Sequence, residues 1–223
     1  MTVFQALILG LLQGLTEFLP VSSSGHLVLA QRLMNVNIGG ADMLFDLTLH
    51  LGTLFSVCVA FRKQVAALFK RPFKTLLYLI VATIPAALAG LLLGDLVDEV
   101  FFGGAYLALG FALSAALLAA AQIRAKRTEG VPPLKFGCAA CMGIAQAVAI
   151  IPGISRSGAT VAAGILSGGN RQNVADFSFL LSIPVILGGF AVTLFKGLHS
   201  GELYSAFAAV GEGFGWCGAG SVA

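Results

Sequence analysis

Apolar runs of near membrane-spanning length alternate with short polar breaks along this chain, and two of the runs are cut by the same kind of polar insert. Residues 2–19 are apolar and approach the length of a spanning helix, but Pro20 and the serines that follow interrupt the run before a clean exit. Residues 24–34 form a second, short apolar piece. Two half-length helices joined by a polar turn predict a re-entrant hairpin over 2–34. Such irregular backbone survives in a membrane only where protein buries it or where it lines a wet cavity. After a loop at 35–44 containing Gly39-Gly40, spans are predicted at 45–61, 75–93 and 104–122. A second interrupted stretch, 136–151 and 158–167, predicts another hairpin over 136–167, followed by a span at 175–196.

The two interrupted stretches match each other. Gly10-Leu11-Leu12-Gln13 corresponds to Gly143-Ile144-Ala145-Gln146, Pro20 to Pro152, and Ser22-Ser23-Ser24-Gly25 to Ser155-Arg156-Ser157-Gly158. Further along, Asp46 answers Asp176 at the start of the next span. The expected fold is therefore an all-α polytopic membrane protein built as a repeat, residues 1–122 and then 123–210. One copy is a hairpin plus three spans, an odd number, so the second copy is inverted and the two polar tips can meet near the midplane. The second copy reads as incomplete, with its last two helices missing. A weak apolar run at 203–210 leads into residues 211–223, whose five glycines make a poor membrane helix. The expectation for this end is a truncation or a shifted reading frame.

Composition supports the membrane reading: 58% of the 223 residues are hydrophobic, 10% are charged, and the mean hydropathy is +0.95. The basic residues form two loops, one with Arg62, Lys63, Lys70, Arg71 and Lys74, the other with Arg124, Lys126, Arg127 and Lys135. Charges confined to short loops argue against nucleic-acid binding. Two spans separate these loops, so both lie on one side, which the positive-inside rule makes cytoplasmic. An acidic turn with Asp95, Asp98 and Glu99, and the loop at 35–44, are then external, and the first hairpin enters from outside. The first apolar run has no basic leader, so no separate signal peptide is expected. Cys138-x-x-Cys141 has redox-pair spacing but lies in an apolar stretch without a second pair, and reads as small packing residues.

The chemistry lies at the two tips. The stretch from Gln13 to His26 sets a carboxylate, hydroxyls and an imidazole in apolar surroundings, where an unpaired polar group is costly. Pro20 ends one helix and Ser22, Ser23 or Ser24 can cap the next, whose N-terminus is suited to an anion. At the other tip Arg156, flanked by Ser155, Ser157 and Gly158, reads as a two-pronged phosphate clamp, or as an ion-pair partner for Glu17 or Asp176. Glu17, one turn after Gln13, can hold a divalent cation with it, accept a proton or orient a nucleophile. His26 suits proton transfer near neutral pH. His50 is placed beside Asp46 at the cavity, and His199 in a surface loop. With Thr160 supplying a further hydroxyl, the set points to phosphoryl transfer or phosphate-ester hydrolysis, and the membrane setting makes the substrate a lipid.

At these two motifs the sequence resembles the undecaprenyl-diphosphate phosphatase family, the integral-membrane enzymes linked to bacitracin resistance. The likeness runs through Gln13-x-x-x-Glu17 into Phe18-Leu19-Pro20-Val21-Ser22-Ser23-Ser24-Gly25-His26, and through Pro152-Gly153-Ile154-Ser155-Arg156-Ser157-Gly158-Ala159-Thr160. It implies hydrolysis of a polyprenyl diphosphate to the monophosphate, for reuse in cell-wall synthesis, at a site open to the outer face of the bacterial cytoplasmic membrane. It also implies Ser23 as nucleophile, with Glu17 and His26 as base and orienter, and His26 as the alternative nucleophile. Arg156, Ser155 and Thr160, with Ser22, Ser24 and Ser157, would hold the phosphates. Glu17 and Gln13 would hold a divalent cation, Mg2+ or Ca2+, more weakly than the family's paired acids because Gln13 is neutral. The expected partners are the lipid, the bilayer and at most a second copy in a homodimer. Two rival readings stand beside this one, a lipid-phosphate transporter using the same site and an inactive remnant.

Overall fold

A computed structural model describes residues 2–36, 42–101, 106–125 and 134–200, and every regular element among them is an α-helix. In chain order they are α1 (Val3–Phe18), α2 (Ser23–Leu33), α3 (Asp42–Ala60), α4 (Arg62–Leu68), α5 (Lys74–Phe101), α6 (Leu107–Ala125), α7 (Phe136–Val148), α8 (Arg156–Leu166) and α9 (Arg171–Ser200). The stretches Lys74–Gly94, Leu107–Ala125 and Arg171–Val192 are each long and apolar enough to cross a membrane. Thr48–Ala60 and Arg62–Leu68 form a fourth candidate, bent by 83° at Phe61. Leu77, Ile80, Leu88, Leu92, Leu109 and Phe195 stand on the outside, an apolar belt that a bilayer covers. The chain is an all-α, multi-pass membrane protein.

Two elements differ from the sequence reading. The basic segment that starts at Arg62 is not a loop throughout, because α4 occupies its first seven residues before the chain turns into α5. The acidic turn at 95–99 is helical backbone, a continuation of α5 past the predicted end of its span. Helices commonly outrun the hydrocarbon and carry their charges into the interfacial zone. Pro85 and Pro184 lie inside α5 and α9, where each removes one backbone donor from the helix ladder. Lys126, Arg127, Gly39-Gly40 and everything after Ser200, including Glu202 and the glycine-rich tail, lie outside the described residues. So do the side chains of Asp46, Asp95, Asp98, Glu99 and His199.

Both interrupted stretches are helix–break–helix. α1 packs against α2, and α7 against α8. The second pair sits deeper, held between α5, α6 and α9. α7 lies directly on α5: a Cβ at Gly143 would fall 2.5 Å from the Ala82 carbonyl oxygen. Met142, Ala139, Ala82, Ala162, Val174 and Leu181 fill the core around this contact. The break after α7 lies on α6, where Gly153 adopts φ +92° and a Cβ at Gly110 would fall 2.7 Å from the Gly153 carbonyl carbon. A left-handed backbone in such close contact accepts only glycine. Packing thus fixes the second polar tip rigidly in the interior.

Candidate active site

α1 stops at Phe18 because Pro20 cannot continue the ladder, and Leu19 turns to extended backbone. Ser22 then takes φ 65° and ψ 90°, a conformation strained for a residue with a side chain, and α2 restarts at Ser23. Ser22 occupies the cap position but makes no side-chain cap, and its buried Oγ has no partner. The expected hydroxyl cap is therefore absent from α2. Its first N–H groups are left without one at a point where Ser22, Ser23 and Ser24 line a cavity. At the other break Ser155 does cap: its Oγ accepts from Gly158 N at 3.0 Å. Ser155 N donates to Ser114 Oγ of α6 at 2.8 Å, and Ser114 Oγ reaches the Gly153 carbonyl at 3.4 Å. Ser114→Ala would orphan a buried backbone N–H, so a loss of about 1–3 kcal/mol is expected, read as a lowered Tm in detergent.

The two tips touch. A Cβ at Gly158 would lie 3.3 Å from Pro20 Cβ, and Ser157 Oγ donates to the Leu19 carbonyl at 3.2 Å. Glu17 stands at the centre. Its Oε1 accepts from Arg156 Nη2 at 3.4 Å, and its Oε2 accepts from Gln13 Nε2 at 3.0 Å and from Ser23 Oγ. The Glu17 side chain is 10% exposed and that of Arg156 31%, so the guanidinium reaches into the cavity while the carboxylate sits behind it. Arg156 thus pairs with Glu17, the first of the two acids open to it in the sequence. Thr160 Oγ1 lies 3.0 Å from the Arg156 carbonyl and 2.6 Å from Ser178 Oγ of α9, which ties the clamp to the wall. Ser155 and Ser157 are joined through their hydroxyls at 3.3 Å.

These groups line one end of a cavity of about 530 Å³. The other end runs between α5 and α9 past Ala86, Gly90, Gly94, Val185, Gly188 and Val192, an apolar arm that Leu91 and Ile150 also line. Phe18 of α1, Phe61 at the bend between α3 and α4, and Phe179 of α9 pack together, the Phe18 and Phe61 ring centroids lying 6.1 and 5.3 Å from that of Phe179.

His26 is placed differently from the sequence expectation. Its Nδ1 lies 2.8 Å from the Ser22 carbonyl, its ring packs edge-on against Phe111 of α6 at 5.3 Å, and it does not line the cavity. Among the described residues no hydrogen bond joins it to Ser23 or Glu17. A carbonyl only accepts, so Nδ1 carries a proton and Nε2 keeps its lone pair in the neutral ring. His26 thus holds the strained Ser22 backbone. Gln13 also lies off the cavity, behind Glu17, and His50 is an electrostatic neighbour of Glu17. Sequence reading missed the wall residues Gln146, Ser178, Ser182, Thr53 and Thr83. Only Gln146 carried a signal, its match to Gln13 in the repeat. Cys138 donates to the Gly164 carbonyl at 3.4 Å, as a packing residue would.

Fold and site define a class: a polytopic helical membrane protein with a carboxylate, a serine and an arginine gathered where two broken helices meet. Within that class the chain belongs to the family described as bacitracin resistance protein BacA, whose model matches residues 6–219. It is 44% identical over 195 residues to an undecaprenyl-diphosphatase of Carboxydothermus hydrogenoformans, covering 87% of this chain and 74% of that one. An undecaprenyl-diphosphatase of Korarchaeum cryptofilum is 42% identical over 84% of this chain and 76% of its own. One from Marinobacter nauticus is 40% identical over 88% and 78%.

Proposed function

We propose that this chain hydrolyses undecaprenyl diphosphate to undecaprenyl phosphate and inorganic phosphate, as the names of its relatives indicate for them. The observation that carries the reading is the contact between Ser23 Oγ and Glu17 Oε2, with Arg156 on the other oxygen of the same carboxylate. A hydroxyl held by a carboxylate is an activated nucleophile, and a guanidinium beside it is the group that stabilises a transferring phosphoryl.

In the step proposed, Ser23 Oγ attacks the terminal phosphorus and passes its proton to Glu17. The bond from that phosphorus to the bridging oxygen breaks, and the lipid monophosphate leaves carrying the proton that Glu17 took, which restores the carboxylate. Water then attacks the phosphoserine, giving its proton to Glu17, and the bond from phosphorus to Ser23 Oγ breaks as that proton returns to Oγ, which releases inorganic phosphate. Arg156 and the N–H groups at the start of α2 take the charge that develops on the phosphoryl oxygens. The prenyl chain occupies the apolar arm between α5 and α9. Recycling the carrier in this way would confer bacitracin resistance, with the site open to the external side of the bacterial cell membrane.

A divalent cation belongs to the same proposal. Gln13 Oε1 is buried and without a partner, one bond rotation from the Glu17 carboxylate, so an amide oxygen and a carboxylate oxygen can be presented together. No group of three or more His, Cys, Asp or Glu converges among the described residues. The ion would therefore take its remaining oxygens from phosphate and water, which suits Mg2+ more than Ca2+. When bound it would neutralise charge on the diphosphate. Gln13→Glu adds a charged ligand, and is expected to lower the Mg2+ concentration for half-maximal activity by about tenfold, in a titration of rate against metal.

The test of the whole reading is phosphate release from undecaprenyl diphosphate by this chain in detergent micelles. Release that depends on time and enzyme supports it. Saturable lipid binding with no release, and movement of the lipid across vesicle bilayers, would transfer the site to the transporter reading.

A further inference from the structure

Gln146 is the buried polar group that the proposed chemistry leaves unused. It is 4% exposed and lines the cavity, yet its Nε2 has no hydrogen-bond partner. Its counterpart in the first half, Gln13, is equally enclosed but spends its Nε2 on Glu17, four residues on. Four residues after Gln146 stands Ile150, which has nothing to accept. A buried amide N–H2 without a partner is an unusual cost in a native protein, and it is tolerated where a ligand completes it.

Its position indicates which part of a ligand that is. Gln146 lies one turn beyond Gly143, the point where α7 rests on Ala82 of α5, and it shares the cavity with Thr83, Ala86 and Ala149. Thr83 is occupied with its own helix, its Oγ1 donating to the Leu79 carbonyl at 2.7 Å. Among the described residues of this wall, Gln146 is therefore the side chain with an unspent hydrogen-bond donor. One turn further on, at the end of α7, Ala149 packs with Ile154 and Ala159 of the second tip, and Ile150 Cδ1 lies 3.9 Å from where a Cβ at Gly90 of the arm would be, so Gln146 stands between the hydroxyl-lined end and the apolar arm. With the terminal phosphate on Ser23 and Arg156 and the hydrocarbon in the arm, the phosphate that remains on the lipid lies between them.

Resting on the phosphatase reading, we infer that Gln146 is a binding residue for the lipid-side phosphate, its amide donating to a non-bridging oxygen of that group. It distinguishes the two products: the prenyl monophosphate retains this contact, and inorganic phosphate does not.

The test compares wild type with Gln146→Met, a variant of similar length without polar atoms, using farnesyl phosphate and inorganic phosphate as product inhibitors. The expected result is inhibition by farnesyl phosphate weakened about 10- to 100-fold, as for loss of a hydrogen bond to a charged group, with inhibition by inorganic phosphate unchanged. Tm should not fall, because an unpaired buried N–H2 donor is removed. Equal inhibition by farnesyl phosphate in both proteins would overturn the assignment. A fall in Tm with both inhibitors weakened together would also overturn it, since that is the mark of a structural residue. If wild type hydrolyses nothing, the phosphatase reading fails separately. Calorimetric binding of farnesyl phosphate then decides Gln146: binding lost in the methionine variant upholds the contact, and equal or absent binding overturns it.

Discussion

Arg156→Ala is expected to lower kcat/KM for undecaprenyl diphosphate by about 10³-fold, and Arg156→Lys to recover little of it. The guanidinium opens α8, fixed from behind by the Ser155 cap and the Thr160–Ser178 contact, so its direction is set by packing. A planar fork can hold Glu17 with one nitrogen and a phosphoryl oxygen with another, whereas an ammonium is a single point charge on a flexible stem. Removing the charge also leaves Glu17, nearly enclosed, without the guanidinium that pairs with it. Arg156→Ala should therefore lose stability as well as activity, and Glu17→Gln combined with Arg156→Ala should regain Tm while staying inactive. Steady-state phosphate release and thermal unfolding of the three variants check this. Full activity in Arg156→Ala would remove the clamp from the mechanism.

Ser23→Ala is expected to abolish turnover, by about 10³-fold or more, with little change in fold. Ser23 begins α2 and is not its cap, so the helix does not depend on the hydroxyl. What is lost is the only hydroxyl that touches the carboxylate of Glu17 among the described residues. Rapid quench of the wild type with labelled terminal phosphate should trap a phosphoenzyme that survives acid, as a phosphoserine does, and that is missing from Ser23→Ala. An acid-labile adduct that persists in Ser23→Ala would pass the nucleophile to His26, whose Nε2 lone pair the Ser22 carbonyl leaves in place.

These experiments turn on features of two kinds. The helices, their breaks and the residue types at each tip were legible in the chain itself, because they have local causes. Pro20 and Pro152 stop a ladder within a turn, apolar length sets a span, and serine, glycine and arginine in an apolar setting reveal a site by their cost. Even the repeat match between Gln13 and Gln146 was visible, though it said nothing of their different fates.

Only the tertiary structure decided which groups meet. Helix rotation and packing between distant segments chose Glu17 over Asp176 as the neighbour of Arg156. They turned His26 onto Phe111 and away from the cavity, and drew Ser114 of α6 and Ser178 of α9 into the support of the second tip. They also gave Ser22 a strained backbone where sequence suggested a simple cap, and left Gln146 facing a cavity without an acid beside it. Residue chemistry names the candidates within a few positions of chain. Their partners are fixed by contacts such as Gly143 on Ala82 and Gly110 on Gly153, which join residues tens of positions apart and exist only after the helices have packed.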